Sequence, residues 1–373
     1  MSCIMNVMKI LYVTHSPIIG GAETSLLSHI RTIDKEKFDI TLVCSDVLYE
    51  KASEIKGIEV ITMQFYLLHG FSPLRLFNYF KMVKRLVNIV RTKHIDIIHS
   101  NSVKAHYITT LVSFITHVYL VWWIRDDTMS KFIFKLSRRI PKSIVFVSYY
   151  LSYLYPKYPN TVVIHNGTPA PKHLMNEQEK ETMKRLHGAG NKAVILCVER
   201  LVVWKGVQIL LEALANVQYD YTCLIVGSGK NQRDDCEFDL IKQTAELGLT
   251  EKVQFLGWRD SVENYYQISD ILIHPALKPE PFGLVVIEAM THGIPVIATN
   301  VGGPVETILD GETGFLVPAG DTAALTEKIN LILGNRQLAE VIGRNAKEIA
   351  MQTYIQEIET KKIEELYTKL ISQ

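Results

Sequence analysis

Two glutamates with seven residues between them, Glu280 and Glu288, bracket an otherwise apolar stretch of the chain. The pattern predicts a helix that starts near Phe282 or Gly283, with Glu280 in the loop before it and Glu288 on its second turn. Carboxylates in these two places would accept hydrogen bonds from two hydroxylated parts of a ligand. Alternatively, Glu280 would only favour the helix N-terminus and Glu288 would pair with a cation. An unpaired buried carboxylate is costly, which favours the ligand-binding interpretation.

Two cations flank another loop in the same half of the chain. Arg200 and Lys205 lie in RLVVWKG, directly after a strand-like apolar run. Two cations at one strand end suit a diphosphate, and a charge-assisted hydrogen bond to such a group contributes roughly 1.5 to 3 kcal/mol. Taken alone, a solvated arginine and a solvated lysine are the simpler interpretation of this loop.

Glycines follow several further predicted strands. Gly20 and Gly21 open the first helix, where free backbone N–H groups and the helix dipole favour an anion. This pair lacks the GxGxxG spacing, so a phosphate contact and a plain tight turn stay equally open. GSG at 227–229 and the glycine pair at 302–303 repeat the arrangement, and Gly283 would let a phosphate approach the backbone closely.

Strand-like apolar runs alternate with helix-like segments along the chain, which predicts parallel, doubly wound sheets. The first set of strands ends with TVVIHN, and a turn-rich and then charged stretch runs on to about residue 189. A second set begins near Val194, and from about Ala323 the periodicity is helical. The expected fold is α/β, with two Rossmann-like domains that face each other across a cleft.

The length of 373 residues also favours two domains, because one compact core rarely serves so long a chain. We expect an N-terminal domain over 1–168 on the acceptor side and a C-terminal domain over 169–354 on the donor side. A C-terminal helix over about 355–373 is expected to pack back on the N-terminal domain.

Charge is divided unevenly although the net charge is only +1. Residues 1–172 carry 21 basic and 11 acidic side chains, and the rest carry 19 and 28. The basic half favours an anionic partner such as a membrane surface, a lipid-like acceptor or nucleic acid, although attraction between the domains is an alternative. The helix predicted over 73–92 and the segment SKFIFKLSRRIPKS combine basic and apolar residues, which suits either peripheral lipid binding or a core helix with a basic face.

The stretch from Tyr107 to Ile124 is nearly uncharged over 18 residues, close to the length of a membrane span. Polar residues interrupt it and VYLVWWI is β-branched and aromatic, so we expect a short helix followed by a buried strand. The five cysteines, at 3, 44, 197, 223 and 236, show no metal-ligand spacing and predict reduced thiols in a cytoplasmic protein.

The segments CVERLVVWKG, EPFGLVVIEAM and VGGPVETILDGETGFLVP resemble the retaining, nucleotide-sugar-dependent glycosyltransferases of family four, which have the two-Rossmann GT-B fold. The resemblance implies that Glu280 contacts the donor sugar, that Glu288 contacts the ribose, and that Arg200 and Lys205 hold the diphosphate. It also implies donor contacts at Gly20, Gly21, Trp258, Arg259, Phe282, Gly283 and Leu284.

The chain departs from the family pattern in places. Glu199 stands where the family usually has glycine before Arg-Leu, so a carboxylate lies beside the arginine and would orient it or weaken it. On the acceptor side the family often has histidine where this chain has WWIRDD and HSNS. The acceptor-side candidates are therefore Arg125, Asp126 or Asp127, and Asn101.

The sequence thus predicts a retaining glycosyltransferase that moves a sugar from a nucleoside-diphosphate sugar, preferably a UDP-sugar, to a hydroxyl of a lipid-linked or cell-surface glycan intermediate. No cofactor or metal is expected, because no D-x-D pair is present, and fixed cations and helix N-termini would meet the charge on the leaving group. A nucleotide-sugar epimerase, a glycan phosphorylase and a basic nucleic-acid-binding protein are the alternatives, although no nucleic-acid-binding motif is present. The expected location is the cytoplasm, or the inner face of a membrane.

Overall fold

The computed structural model of the protein describes residues 7–16, 18–66, 73–230, 232 and 234–372. The chain divides into two compact units, an N-terminal unit of Met1–Thr168 with Gln356–Gln373 and a C-terminal unit of Pro169–Ile355. Each unit is built on one parallel sheet flanked by helices. The predicted fold class, two Rossmann-like α/β domains, is confirmed.

The described residues of the N-terminal unit form seven parallel strands: β1 (Met8–Val13), β2 (Phe38–Cys44), β3 (Ile58–Thr62), β4 (Ile97–Ser100), β5 (Tyr119–Ile124), β6 (Ser143–Phe146) and β7 (Thr161–Val163). Their order in the sheet is β3-β2-β1-β4-β5-β6-β7. The chain runs outward from β1 to β3, returns to β4 and continues to β7, which is the doubly wound topology. Both faces of such a sheet are covered, so most residues of its central strands are apolar and buried.

These strands are connected, within the described part of the chain, by six helices: α1 (Gly21–Thr32), α2 (Asp46–Ser53), α3 (Pro73–Thr92), α4 (Val103–Thr116), α5 (Lys131–Ser137) and α6 (Tyr149–Leu154). The nearly uncharged stretch from Tyr107 to Ile124 divides between α4 and β5, as the sequence predicted. Across the described residues, no helix is both long enough and apolar enough to cross a membrane.

The C-terminal unit, apart from the undescribed residues 231 and 233, contains six parallel strands: β8 (Ala193–Val198), β9 (Tyr221–Val226), β10 (Val253–Phe255), β11 (Ile271–His274), β12 (Val296–Thr299) and β13 (Phe315–Val317). Their order is β10-β9-β8-β11-β12-β13, again doubly wound. The change of direction falls between β8 and β11. Ligands of open α/β sheets bind beyond the carboxyl ends of strands at this kind of position.

The helices of this unit are α7 (Glu177–Leu186), α8 (Val207–Leu214), α9 (Glu237–Glu246), α10 (Glu263–Ile268), α11 (Leu284–Thr291), α12 (Pro304–Thr307), α13 (Thr322–Gly334) and α14 (Arg336–Thr353). A short 3-10 turn covers Val203–Lys205. The last helix, α15 (Gln356–Ile371), belongs to the N-terminal unit and packs against α1. Its first residue is tied to the same unit, since Gln356 N donates to Thr168 O at 2.9 Å.

Helix α7 forms within the charged stretch for which the sequence analysis predicted no element. None of its residues is buried, so no apolar stripe marks it in the sequence. Reciprocal capping defines its start, because Asn176 Oδ1 accepts from Glu179 N at 3.0 Å and Asn176 N donates to Glu179 Oε2 at 2.8 Å. Each such cap satisfies a backbone group that the first helical turn leaves unpaired.

Four of the five cysteines lie in the described part of the chain, and all four are free and buried: Cys44, Cys197, Cys223 and Cys236. Cys3 lies outside the described residues. Burial raises the pKa of the Cys44 thiol to about 12 and that of Cys236 to about 11. These thiols therefore act as apolar core groups, as the sequence predicted.

Candidate active site

The loop that follows β8 carries three charged residues and is held by close backbone packing. Glu199 and Arg200 come directly after the strand, and Lys205 ends the 3-10 turn. Gly206 has a φ of +74°, and a Cβ there would lie 2.0 Å from the carbonyl oxygen of Pro275. Glycine suits both this conformation and this close approach. The loop is therefore fixed against the residue that follows β11.

Lys205 lies between two carboxylates. Its Nζ is 2.7 Å from Glu199 Oε2 and 2.7 Å from Glu280 Oε2. The side chains of Lys205 and Glu199 are buried, and that of Glu280 is 18% exposed. His274, at the end of β11, places Nδ1 against Glu199 Oε1. We call these four residues the Lys205 cluster; its positive charge is balanced before any ligand binds.

The two most buried ionised groups of the cluster hold each other in the charged state. Burial lowers the pKa of Lys205, but Glu199 and Glu280 outweigh burial and raise it. Burial likewise raises the pKa of Glu199, but Lys205 and His274 outweigh it and lower the pKa to about 2. Both groups are therefore ionised at neutral pH.

Arg200 is half-buried and makes weaker contacts than Lys205. Its Nη1 lies 3.4 Å from Gln232 Oε1, and its guanidinium carbon lies 5.5 Å from the centre of the Trp204 ring. The carboxylate of Glu199 pairs with Lys205 rather than with the adjacent arginine, where the sequence analysis placed its effect. Glu199 is buried and Arg200 is half-buried, so the two side chains lie in different surroundings.

The loop that contains Glu280 packs directly on the glycine pair after β12. Gly303 N donates to Glu280 O at 2.7 Å. A Cβ on Gly302 would lie 2.3 Å from that same oxygen, and a Cβ on Gly303 would lie 2.3 Å from Phe282 Cα. Gly283, with a φ of +87°, then begins α11. The pair at 302–303 thus serves close packing that fixes the backbone of Glu280.

Glu288 lies on the second turn of α11, in different surroundings from Glu280. It accepts a hydrogen bond from Tyr266 OH at 2.7 Å, and the Tyr266 ring stacks on His292 with 5.2 Å between ring centres. Burial raises the pKa of Glu288, and the Tyr266 hydrogen bond only partly offsets this. The two glutamates therefore differ in charge balance, since Glu280 has an ammonium partner and Glu288 has a phenol.

The other donor-side candidates of this unit differ in accessibility. Phe282 is buried, and its ring centre lies 6.1 Å from that of Tyr354, while Leu284 is half-buried. Trp258 is 56% exposed and Arg259 is exposed as well. The loop that carries these two residues adjoins the loop after β9, because Gly227 N donates to Gly257 O at 3.0 Å. Loops after β8, β9, β10, β11 and β12 thus meet at one edge of the sheet.

In the N-terminal unit, Gly20 and Gly21 begin α1, as predicted. Gly20 N donates to Glu23 Oε2 at 3.0 Å, so the chain's own carboxylate occupies part of this helix N-terminus. Glu23 is buried, and burial raises its pKa. A phosphate contact at the glycine pair stays a prediction, and such a phosphate would meet the carboxylate of Glu23.

The acceptor-side candidates Asn101 and Arg125 are both buried and are bonded to each other. Arg125 Nε donates to Asn101 Oδ1 at 2.5 Å, and Nη1 donates to Asn166 Oδ1 at 2.6 Å and to Ser25 Oγ at 2.9 Å. The guanidinium carbon lies 3.7 Å from the centre of the Trp123 ring. Burial lowers the pKa of Arg125 to about 10. We call these five residues the Arg125 network.

Asp126 and Asp127 lie nearer the surface, half-buried and exposed respectively. Asp126 Oδ1 accepts from Thr128 N at 2.9 Å and from Thr128 Oγ1 at 2.5 Å, which fixes the turn after β5. The Nη2 of Arg125 is buried and has no hydrogen-bond partner in the described part of the chain. It is the group through which this arginine would reach a ligand.

Several residues in these sites escaped the sequence analysis. His274 and Tyr266 contact Glu199 and Glu288 respectively, and Asn166 bonds Arg125 across 41 positions. His274 could have been found from the sequence, because it is a histidine that ends an otherwise apolar strand in ILIHP. Tyr266 and Asn166 carried no such signal, because their partners are distant in sequence.

Two family models match successive parts of the chain. Residues 19–170 match the model described as Glycosyltransferase Family 4, and residues 178–349 match the model described as Glycosyl transferases group 1. The chain is a family 4-like glycosyltransferase with the GT-B fold. Transfer of a glycosyl group is therefore its activity.

Named relatives support the same assignment over nearly the whole chain. This glycosyltransferase is 24% identical to the capsular polysaccharide biosynthesis glycosyltransferase CapM of Staphylococcus aureus, over 98% of this chain and 99% of that protein. It is 26% identical to HepE of Anabaena, whose crystal structure in complex with UDP and glucose has a TM-score of 0.85 over 97% of this chain and 100% of that one. A glycosyltransferase structure from Rickettsia africae, 24% identical, has a TM-score of 0.87 and shows the fold alone.

Among the described residues, no three side chains of histidine, cysteine, aspartate or glutamate come together where they could hold a metal ion. Metal-independent catalysis stays a prediction.

Proposed function

We propose that the protein transfers a sugar from a nucleoside-diphosphate sugar to an acceptor hydroxyl, with the donor bound by the C-terminal unit. The observation that carries this proposal is the pairing of Lys205 with Glu280 at the carboxyl edge of the sheet, where β8 and β11 adjoin, with Arg200 on the same loop as Lys205. Glu280 is the partly exposed carboxylate that would accept sugar hydroxyls. Glu288, further along α11, would accept a ribose hydroxyl.

A UDP-sugar is the preferred donor. HepE, whose whole chain aligns with 97% of this one, has been crystallised with UDP and with UDP-glucose. Trp258 and Arg259, on the loop after β10, would meet the base through their backbone. Phe282, Gly283 and Leu284 would shape the sugar and phosphate end, because they begin α11 beside Glu280.

We further propose a retaining, metal-independent reaction along a front-face path. The bond from the anomeric carbon to the diphosphate oxygen breaks, a bond to the acceptor oxygen forms on the same face, and the acceptor proton passes to the departing phosphate. Arg200, Lys205 and the N-terminus of α11 would stabilise the charge that develops on the diphosphate. Activity is accordingly expected to persist in EDTA, and a loss reversed by Mg²⁺ would contradict this.

The acceptor is proposed to be a lipid-linked or cell-surface glycan intermediate. CapM acts in capsular polysaccharide biosynthesis by name, which supports polysaccharide biosynthesis as the process. On the acceptor side, Arg125 presents a buried guanidinium whose pKa burial lowers to about 10. Its unpartnered Nη2 suits an anionic or hydroxylated acceptor group. Asn101, after β4, and Asp126, which follows Arg125 in the chain, are its neighbours.

An anionic membrane surface is the proposed partner of the N-terminal unit. Helix α3 and the segment 131–142 that begins with α5 contain ten basic and no acidic residues. They also expose large apolar side chains: Leu74, Leu76, Phe77, Phe80, Phe132, Ile133, Leu136 and Ile140. Helix α3 connects β3 to β4 and helix α5 connects β5 to β6, so both crossovers run in the same direction along the sheet. Because such crossovers are right-handed, the two helices lie on the same face of the sheet. Apolar side chains among basic ones suit anionic lipid headgroups.

Flotation with vesicles tests this partner. We expect binding to vesicles that contain anionic lipid and loss of binding in Phe77→Ser/Phe132→Ser. Phe238→Ser is the matched control, because Phe238 is 79% exposed on α9, whose first turn is acidic. Equal partitioning to neutral and anionic vesicles would contradict the proposal.

A thermal-shift screen with UDP-, GDP-, ADP- and dTDP-sugars tests the activity itself, followed by a donor-hydrolysis assay with the best binder. We expect stabilisation by one nucleoside-diphosphate sugar and slow release of its sugar to water. Interconversion of the sugar without an acceptor would indicate an epimerase, and phosphate-dependent cleavage of a glycan would indicate a phosphorylase. Salt-sensitive RNA binding without any response to nucleotide sugars would indicate a nucleic-acid-binding protein. Each of these three outcomes contradicts the proposed transfer.

A further inference from the structure

We infer that Glu199 is a positioning residue that ties Lys205 to Glu280 and leaves the diphosphate of the donor chiefly to Arg200. The inference rests on the proposed function. It assigns different tasks to the two cations of the loop after β8, which the sequence pattern treats as a pair. It also gives a role to the buried carboxylate that stands directly before Arg200 in the chain.

Most of the hydrogen-bonding capacity of Lys205 is used within the protein. An ammonium group has three hydrogen atoms to donate, and two carboxylate oxygens, from Glu199 and Glu280, each lie 2.7 Å from Nζ. The Lys205 side chain is only 7% exposed, so water supplies little competition for these contacts. One donor at most is left for a phosphate oxygen.

The main chain of Glu199 is held by its neighbours and its carboxylate is enclosed, so we expect the side chain to stay in place when a ligand arrives. Its backbone N donates to Val226 O at 2.9 Å, and its carbonyl oxygen lies where a Cβ on Gly227 would fall, at 1.7 Å. Its second carboxylate oxygen faces His274 Nδ1, and both of these side chains are almost fully buried. The negative charge therefore stays beside Lys205.

The charges of Glu199, Glu280, Lys205 and Arg200 sum to zero. Glu199 and Glu280 together neutralise Lys205 and one further positive charge, so the loop and Arg200 have no net positive charge toward a diphosphate. With a glycine at position 199, the same set would carry one positive charge more. Arg200, whose protein contacts are a hydrogen bond at 3.4 Å and a ring at 5.5 Å, is the cation that remains available.

Glu199 should therefore oppose diphosphate binding while it supports sugar recognition. Without its charge, Lys205 Nζ turns toward the phosphates, and the nucleoside diphosphate binds more tightly. Glu280 then loses the ammonium that orients it, so the sugar is held less well and turnover falls. A residue with only a structural role would weaken binding of UDP and of the UDP-sugar together.

The experiment measures the affinities of full-length wild type and Glu199→Gln for UDP and for UDP-glucose by isothermal titration calorimetry, with turnover measured in parallel. We expect UDP to bind about 5- to 20-fold more tightly to the variant, because a fixed negative charge near the phosphates is removed. The ratio of UDP-glucose affinity to UDP affinity should fall at least as much, and kcat should fall more than KM changes. Glu340→Gln, which makes the same charge change at an exposed site on α14, should leave all three quantities unchanged.

Glu199→Asp is the conservative variant, and it also serves if Glu199→Gln does not fold. It keeps the charge and shortens the side chain, so it should lose sugar discrimination without the gain in UDP affinity. Weaker or unchanged UDP binding to Glu199→Gln, with wild type binding normally, would overturn this inference alone. No binding of any UDP-, GDP-, ADP- or dTDP-sugar, or of the free nucleoside diphosphates, to wild type would overturn the proposed function and this inference with it.

Discussion

Each unit buries a cation beyond the carboxyl end of a strand, Arg125 in the N-terminal unit and Lys205 in the C-terminal unit. The charges of these two cations are balanced in different ways. Lys205, after β8, lies against two carboxylates, and its pKa is raised in spite of burial. Arg125, after β5, donates to neutral amide and hydroxyl oxygens, and burial lowers its pKa to about 10. The Lys205 cluster is thus a closed set of charges, in the sense that its cation is paired with carboxylates of the cluster itself, whereas the Arg125 network contains no carboxylate and retains a positive charge.

The difference fits the two sides of the proposed reaction. A closed charge cluster suits a site that must hold Glu280 in one place for sugar hydroxyls, because mutual attraction fixes each member. A retained positive charge suits a site that meets an anionic or strongly polar acceptor group. Breaking one member of each set would test whether the two sites work in these different ways.

The largest effect is expected from Lys205→Met. The substitution leaves Glu199 and Glu280 facing each other with no cation between them, and loss of one partner of a buried ion pair costs about 3 to 5 kcal/mol. Urea unfolding measures the free energy of unfolding, and adding Glu199→Gln should restore part of the loss. Lys242→Met is the control, since Lys242 is 67% exposed in its pair with Glu246 and should change stability little. A Lys205→Met protein as stable as wild type would show that the cluster is not a closed set of charges.

Arg200→Ala comes next and affects rate rather than stability. Arg200 lies outside the closed cluster, so its removal should cost about 3 to 4 kcal/mol in the barrier, or ~10²- to 10³-fold in turnover. Steady-state sugar transfer measures this, with Arg336→Ala as the control because Arg336 is 92% exposed on α14. Unchanged turnover would reject a role for Arg200 at the diphosphate.

The fold could be predicted from the sequence because apolar runs, and the glycines that follow them, indicate the strands of a parallel sheet from local sequence alone. The helix over Pro73–Thr92 was predicted with the bounds that the structure shows. Helix α7 was missed because it buries nothing, although the spacing of Asn176 and Glu179 was an available capping signal. Local signals thus serve wherever an element packs on the core, and fail where capping alone defines it.

For the candidate sites, the sequence placed residues after strands but could not pair them. Glu199 was noticed as an unusual neighbour of Arg200, yet it pairs with Lys205, His274 and, through Lys205, with a carboxylate 81 positions away. Asn101 and Arg125 were both named without any sign that they bond each other. Pairing of this kind depends on which loops meet at a sheet edge, and therefore on tertiary structure.

A smaller effect is expected from Arg125→Lys. The variant keeps the charge but loses the fork that reaches Asn101, Asn166 and Ser25, and each buried group left unpaired costs about 1 to 3 kcal/mol. Urea unfolding measures the loss, and Arg91→Lys on an exposed position of α3 is the control. If both substitutions proved equally mild, the Arg125 network would contribute nothing specific, and its contrast with the Lys205 cluster would rest on charge alone.

The smallest effects concern the pH dependence of stability, where two buried glutamates should act with opposite signs. Glu199 has a pKa lowered from 4.5 to about 2, so its contribution is complete above pH 4.5 and is lost as the pH falls toward 2. Glu23, on α1, has a pKa raised above 4.5 by burial, so the folded state holds its proton longer than the unfolded chain does. Stability should therefore fall as the pH rises through the range just above 4.5.

Free energies of unfolding for wild type, Glu199→Gln and Glu23→Gln, measured as a function of pH, separate the two contributions. The difference between wild type and Glu199→Gln should shrink only below pH 4.5, because protonation then removes the charge that the substitution removes. The difference between wild type and Glu23→Gln should change only above pH 4.5, and with the opposite slope. Parallel slopes would mean that ion pairing around Glu199 in the C-terminal unit and burial of Glu23 in the N-terminal unit act alike on the two carboxylates, which would contradict this difference between the units.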